Sequence, residues 1–90
     1  MTFKVTNVVD GDTFDVSPNW NWDGKTGDRV RIANLYAPEV SERGGNAATQ
    51  RLVNLIGRKD VELKNAVNMS YGRIVCDVYL NGVNIVSQLS

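Results

Sequence analysis

The chain of 90 residues has no histidine and a single cysteine, Cys76. The absence of histidine excludes Ser-His triads, zinc sites of the HExxH type and a histidine general base. A single cysteine cannot form a disulfide within the chain, and its place in an apolar strand pattern predicts a buried structural thiol. Any chemistry must therefore come from carboxylates, arginines, lysines, tyrosines or a bound metal.

Neither sign of charge is in excess, because ten Lys and Arg residues balance ten Asp and Glu residues. A dedicated nucleic-acid-binding protein usually has a basic excess, so we expect any phosphate-binding site here to be local. No apolar run approaches the roughly 20 residues that span a bilayer, and the N-terminus lacks the apolar core of a signal peptide. The missing apolar run predicts no membrane partner. The length predicts one domain over residues 1–90.

Alternating apolar residues predict five or more short strands. These strands cover Phe3 to Val9, Phe14 to Val16, Arg29 to Leu35, Val61 to Lys64, and Ile74 to Leu80. Residues 17–28, between the second and third strands, are predicted to form a long hairpin loop. A bulge or bend is expected at Asn34-Leu35.

A stripe formed by Ala48, Leu52, Leu55 and Ile56 predicts a helix over residues 44–58, with its end near Gly57. Asn81-Gly82 is typical of a type I′ hairpin, and Asn84 can cap a final short helix. The expected fold is mainly β (α+β). It is a closed five-stranded barrel of the OB type, with one helix inserted after strand 3 and a truncated C-terminal helix.

Three polar clusters interrupt the strand pattern. The first is Asp10-Gly11-Asp12-Thr13, which suits either a tight turn with solvated acids or a hard-cation site. The second pairs Arg31 with Glu39, where Pro38 fixes the backbone before the carboxylate. The third is Ser70-Tyr71-Gly72-Arg73. Arg31 and Arg73 are either surface arginines or phosphate ligands.

Taken in order, these clusters resemble the staphylococcal nuclease-like (thermonuclease) family. The resemblance runs from Val8 to Leu89 and is carried by the sequences VVDGDTF, RVRIANLYAPE, YGR and IVCDVYLNG. It implies an OB-fold barrel and an endonuclease, a hydrolase that cleaves the phosphodiester bonds of DNA or RNA with calcium. The usual C-terminal helices of the family have no counterpart before Ser90.

The resemblance also implies roles for individual residues. Asp12 and the backbone carbonyl of Ala37 would bind calcium directly, with Asp10 in the outer shell of the ion. Glu39 would activate or order the attacking water. Arg31 and Arg73 would bind the scissile phosphate and the charge that grows on it.

The chain departs from the family at Tyr36, which occupies the position of a lost aspartate ligand to calcium. A phenol has one oxygen and a pKa of about 10, so it replaces a carboxylate poorly. An alternative is therefore a weakened module that binds nucleic acid or protein without cleaving. In the predicted loop, Trp20 and Trp22 either stack on bases, cap the barrel or form a protein contact.

Overall fold

The computed structural model describes residues 1–36 and 44–89. Six strands and two helices run within these ranges. The strands are β1 (Phe3–Asp10), β2 (Thr13–Trp22), β3 (Lys25–Ile32), β4 (Asp60–Ser70), β5 (Arg73–Leu80) and β6 (Val83–Asn84), and the helices are α1 (Gly45–Ile56) and α2 (Val86–Leu89). Neither of these helices is long and apolar enough to cross a membrane.

The strands close into a barrel. They follow one another in the order β3-β2-β1-β4-β5, and β5 pairs back onto β3. The other contacts are antiparallel, whereas the closing β3–β5 contact is parallel and sets Val30 opposite Ile74. β6 adds a short antiparallel piece to β5. The predicted five-stranded, mainly β barrel with a helix after the third strand is confirmed.

The core lies inside this barrel and beneath helix α1. Alternate residues of β5, from Ile74 to Leu80, are buried, as the period of a half-buried strand requires. On α1 the buried apolar residues are Ala48, Leu52 and Ile56, which recur every four residues on one face. Each fully buried Leu or Ile contributes roughly 1.5–3 kcal/mol, so this stripe fixes the helix against the strands.

The predicted loop over residues 17–28 is wrong. β2 continues to Trp22 and β3 begins at Lys25, so the segment is a long hairpin arm that turns at Asp23-Gly24. The pairing register shifts between Asp15 and Trp20, which hides the alternation in the sequence. Trp20 is only 2% exposed and its Nε1–H donates to the carbonyl of Arg29 at 3.0 Å. It belongs to the core and cannot stack on bases.

Two strand boundaries also differ from those predicted. β3 ends at Ile32 rather than Leu35, and Asn34 adopts a left-handed conformation with φ 62° at the expected bend. β4 continues past Lys64 to Ser70, after a register shift between Lys64 and Asn68. No residue in this second half of β4 is fully buried, so it lacks the apolar alternation that marks a strand in a sequence.

The C-terminal turn and cap are confirmed. Asn81 and Gly82 have φ values of 53° and 82°, as a type I′ turn requires. The Oδ1 atom of Asn84 accepts a hydrogen bond from the backbone N–H of Val86 at 3.0 Å.

Cys76 lies in the core on β5, as expected of a structural thiol. Burial raises the pKa of the Cys76 thiol to about 12. The thiolate is therefore disfavoured at neutral pH, and Cys76 does not serve as a nucleophile.

Gly57 ends helix α1 for a reason of space rather than of backbone conformation. Its φ of −53° is open to any residue, and the left-handed residue is the neighbouring Arg58 with φ 61°. The N–H of Gly57 donates to the carbonyl oxygen of Val53 at 2.9 Å. A Cβ at position 57 would lie 2.6 Å from that same oxygen, which belongs to the helix backbone.

We predict that Gly57→Ala lowers the free energy of unfolding by about 1–3 kcal/mol, because the helix end must shift to relieve this contact. Urea denaturation followed by circular dichroism measures the change. Arg51→Ala, at an exposed position of the same helix, is the control and should stay within about 0.5 kcal/mol of the parent. A Gly57→Ala protein as stable as the control would contradict the steric explanation.

Candidate functional site

The turn between β1 and β2 holds two aspartates at one end of the barrel. The backbone N–H of Asp12 donates to Oδ1 of Asp10 at 3.1 Å, which is the usual way an aspartate stabilises a turn. Asp10 also pairs with Thr13 in the antiparallel ladder. The predicted tight turn is therefore present at these residues. The acids are not both solvated, however, because Asp12 is only 9% exposed.

Asp12 is held by two neighbours. Its Oδ1 accepts a hydrogen bond from the Thr13 hydroxyl at 2.8 Å, and its Oδ2 lies 3.5 Å from Nε of Arg31. Burial raises the pKa of the Asp12 carboxyl, and the hydrogen bond with Asp10 raises it further. Thr13 and Arg31 lower it, but the pKa stays above its ordinary value because desolvation is the largest effect.

Arg31 reaches this carboxylate from β3. Its backbone lies opposite Thr13 in the β2–β3 ladder, on the face away from buried Val30 and Ile32. Its Nη1 also donates to the carbonyl of Ile32. Arg31 is therefore paired with an acid, as the surface-arginine interpretation expected, but its side chain is only 23% exposed.

Arg73 arrives from β5, directly after a turn in which Tyr71 and Gly72 have φ values of 51° and 78°. Its Nε donates to the carbonyl of Ser70 at 3.0 Å, and Nη2 to the Ser70 hydroxyl at 3.3 Å. Its Nη1 donates to the hydroxyl of Thr13 at 3.0 Å. These three contacts hold the guanidinium in one orientation.

Thr13 joins the β1–β2 turn to β5 through one hydroxyl, which donates to Asp12 and accepts from Arg73. The sequence places Thr13 within the DGDT motif but predicts no role for it. Thr13 starts a strand and is 2% exposed, so its hydroxyl must find hydrogen-bond partners inside the protein. This burial in the structure is the signal that identifies Thr13 as part of the site.

The contacts above place four of the predicted site residues, Asp10, Asp12, Arg31 and Arg73. Tyr36 is 83% exposed. Ala37 and Glu39 lie outside the described residues, so their predicted roles stay predictions.

The donors present suit a hard cation only in part. Asp10 and Asp12 supply carboxylate oxygens, the ligand type that calcium prefers, but calcium takes about six to eight oxygens. Over residues 1–36 and 44–89, no group of three or more His, Cys, Asp or Glu side chains is placed to hold a metal ion. Further ligands would have to come from outside these ranges, from water or from a substrate.

An open cleft of about 400 Å³ lies beside these contacts. It is lined by Val9, Asp10, Thr13, Arg29, Tyr71 and Arg73. Its volume falls within the roughly 300–1,000 Å³ range of small-ligand pockets, and its lining combines cationic, acidic and aromatic groups.

Comparison with known proteins gives nuclease relatives. No family model matches the chain. It is similar to the micrococcal nuclease of Shigella flexneri, with 37% identity over 76 residues, which are 84% of this chain and 41% of that protein. An uncharacterized endonuclease of Escherichia coli is 32% identical over 83 residues, 91% of this chain and 51% of its own length.

A plant relative also matches. A probable staphylococcal-like nuclease of Oryza sativa subsp. japonica is 35% identical over 60 residues, which are 67% of this chain and 12% of that protein. The chain spans about half or less of the length of these curated relatives.

We predict that Thr13→Val lowers the free energy of unfolding by about 1–3 kcal/mol, because Arg73 loses a buried acceptor and Asp12 a donor while the side-chain shape is kept. Urea denaturation measures this change. Thr6→Val is the matched control at an exposed position of β1 and should have little effect. If the two substitutions cost the same, the Thr13 hydroxyl does not join the strands as described.

Proposed function

Since the chain belongs to the staphylococcal nuclease-like family, we propose that it is a phosphodiesterase domain that hydrolyses DNA or RNA with calcium. We also propose that residues 1–90 form one domain. The observation that carries the proposed activity is the convergence of Arg31 and Arg73 on Asp12 and Thr13, beside an open cleft.

Arginine suits the substrate that this activity requires. A phosphodiester is anionic, and its negative charge shifts and grows as water attacks the phosphorus. A guanidinium is planar and can donate to two phosphate oxygens at once. Arg73 has five N–H donors, and among the described residues Ser70 and Thr13 engage three of them, which leaves two. In this proposal those two donors bind the scissile phosphate, with Arg31 beside it.

Asp10 and Asp12 are the residues that would hold the cation. When bound, calcium supplies positive charge beside the phosphoryl oxygens. The two carboxylates lie close together in a turn, and a third negative group brought by the substrate would repel them without a compensating charge. The role of Glu39 as general base rests on the family resemblance.

A second candidate function is nucleic-acid binding without cleavage. It is favoured by Tyr36, which is exposed and offers no carboxylate where the family usually has one. It is also favoured by the engagement of both Asp12 oxygens with Thr13 and Arg31. The two functions differ in whether the bond breaks, so a cleavage assay separates them.

We predict that the chain cleaves single-stranded DNA in millimolar calcium, that a chelator stops the reaction, and that Glu39→Gln slows it by about 10²- to 10⁴-fold. Gel electrophoresis of a labelled oligonucleotide measures the rate. Glu62→Gln removes the same charge from β4 and should keep the parent rate. No cleavage by the parent would leave only the binding function.

We further predict that Tyr36→Asp strengthens calcium binding, because ligand charge sets calcium affinity. Isothermal titration of calcium measures the change directly, and the cleavage assay shows whether it matters for rate. Tyr36→Asn is the matched control, since it gives a neutral oxygen of similar reach. Equal affinities for both variants and the parent would argue against a calcium ligand at position 36.

A further inference from the structure

Arg29 is a charged residue of the cleft that the proposed mechanism does not use. It lies two residues before Arg31 on the same outward face of β3. Val30 and Ile74 face each other in the parallel β3–β5 contact, so the residues that precede them, Arg29 and Arg73, lie on neighbouring strands at the same level. Both arginines line the cleft of about 400 Å³.

The guanidinium of Arg29 is held in a fixed orientation. Its Nε donates to Oδ1 of Asp15 at 2.9 Å, and its Nη2 to Oδ2 at 3.4 Å. Asp15, which lies opposite it on β2, also accepts a hydrogen bond from Asn7 at 3.4 Å. The Asp15 side chain is 14% exposed whereas that of Arg29 is 47% exposed, so the acid is anchored and the arginine faces solvent.

Arg29 has more N–H donors than its contact with Asp15 uses. Within residues 1–36 and 44–89, Asp15 engages two of the five N–H donors of Arg29, which leaves three. An arginine that is already oriented loses less conformational entropy when it binds an anion.

We propose that Arg29 binds the phosphate next to the scissile one, so that the cleft takes a nucleic-acid strand with at least two consecutive phosphates. This inference rests on the proposed function, which puts the scissile phosphate at Arg31 and Arg73. A strand that enters the cleft at Arg73 meets Arg29 on the adjacent β-strand. Preference for a longer strand then comes from one added contact rather than from a general positive field.

The local charge balance supports a discrete contact. Among the described residues, the three arginines of this corner, Arg29, Arg31 and Arg73, are matched by the aspartates at positions 10, 12 and 15, and Asp28 also lies near Arg29. These residues therefore have no positive excess that would attract an anion from a distance. Recognition of a second phosphate must come from directed N–H groups, which Arg29 has.

The test measures binding in calcium with all proteins carrying Glu39→Gln, so that cleavage does not consume the probe. The probe is fluorescein-labelled tetrathymidylate, which has three phosphodiesters. Its affinity is read by anisotropy over a series of salt concentrations. Thymidylyl-thymidine, which has one phosphodiester, serves as an unlabelled competitor.

Adding Arg29→Gln should weaken tetrathymidylate binding about tenfold and reduce the salt slope by about 0.7, the value for one phosphate contact on a single strand. Competition by thymidylyl-thymidine should change less than about twofold, because that ligand has no second phosphate. Glutamine keeps a hydrogen-bond donor for Asp15, and matching urea midpoints show that the variant is folded.

Lys25→Gln is the matched charge control. Lys25 is also on β3, its side chain is 58% exposed, and it does not line the cleft. It should leave both affinities unchanged. If it weakens tetrathymidylate as much as Arg29→Gln does, general charge rather than a bound phosphate explains the effect, and the inference is overturned.

The remaining outcomes are also decisive. Equal weakening of both ligands by Arg29→Gln overturns the inference, because Arg29 then acts on the scissile phosphate or its surroundings. If Arg29→Gln weakens the binding of neither ligand, Arg29 serves only in its ion pair with Asp15, and the inference is overturned. If the parent neither binds tetrathymidylate nor cleaves DNA, the proposed function fails first and the inference fails with it.

Discussion

The parallel pairing of β3 with β5 is the contact on which the candidate site depends. It closes the barrel and fixes Val30 opposite Ile74, so the outward residues beside them come from strands far apart in the sequence. The antiparallel β2–β3 ladder then sets Thr13 opposite Arg31. A single hydroxyl can therefore bond to Asp12 and Arg73 together. Backbone register, rather than attraction between distant charges, assembles the polar groups.

The arginines of this corner are positioned by contacts with neighbouring side chains and carbonyl groups. Ser70 holds Arg73 through a carbonyl and a hydroxyl, and Asp15 holds Arg29 through both its oxygens. Asp12 differs because it is buried, and burial of a carboxylate is unfavourable unless cationic or hydrogen-bonding groups offset it. Thr13 and Arg31 offset part of that cost. A neutral chain can thus form a strongly polar site by pairing its charges locally.

How far the sequence predicted the structure depended on which faces are buried. β5 and α1 bury one face, so their apolar spacing revealed them. The hairpin arm beyond Val16 buries only Trp20 among its residues up to Gly27, and the second half of β4 has no fully buried residue, so neither showed alternation. At the candidate site, the sequence motifs predicted that Arg31 and Arg73 take part. The contact between Thr13 and Arg73 spans 60 positions and follows from barrel closure, which no local pattern encodes.

The proposed roles separate phosphate binding from cleavage in this architecture. The orientation of Arg73 comes from Ser70 and Thr13, and both contacts form directly between protein groups without a metal ion. The cation would depend on the carboxylates of the β1–β2 turn and on a third ligand that Tyr36 does not provide. The proposed phosphate ligands Arg31 and Arg73 therefore lie within the described residues, whereas Ala37, a proposed cation ligand, does not. A change at Tyr36 would alter the proposed cation site without moving Arg73, because the contacts that orient the guanidinium are made by Ser70 and Thr13.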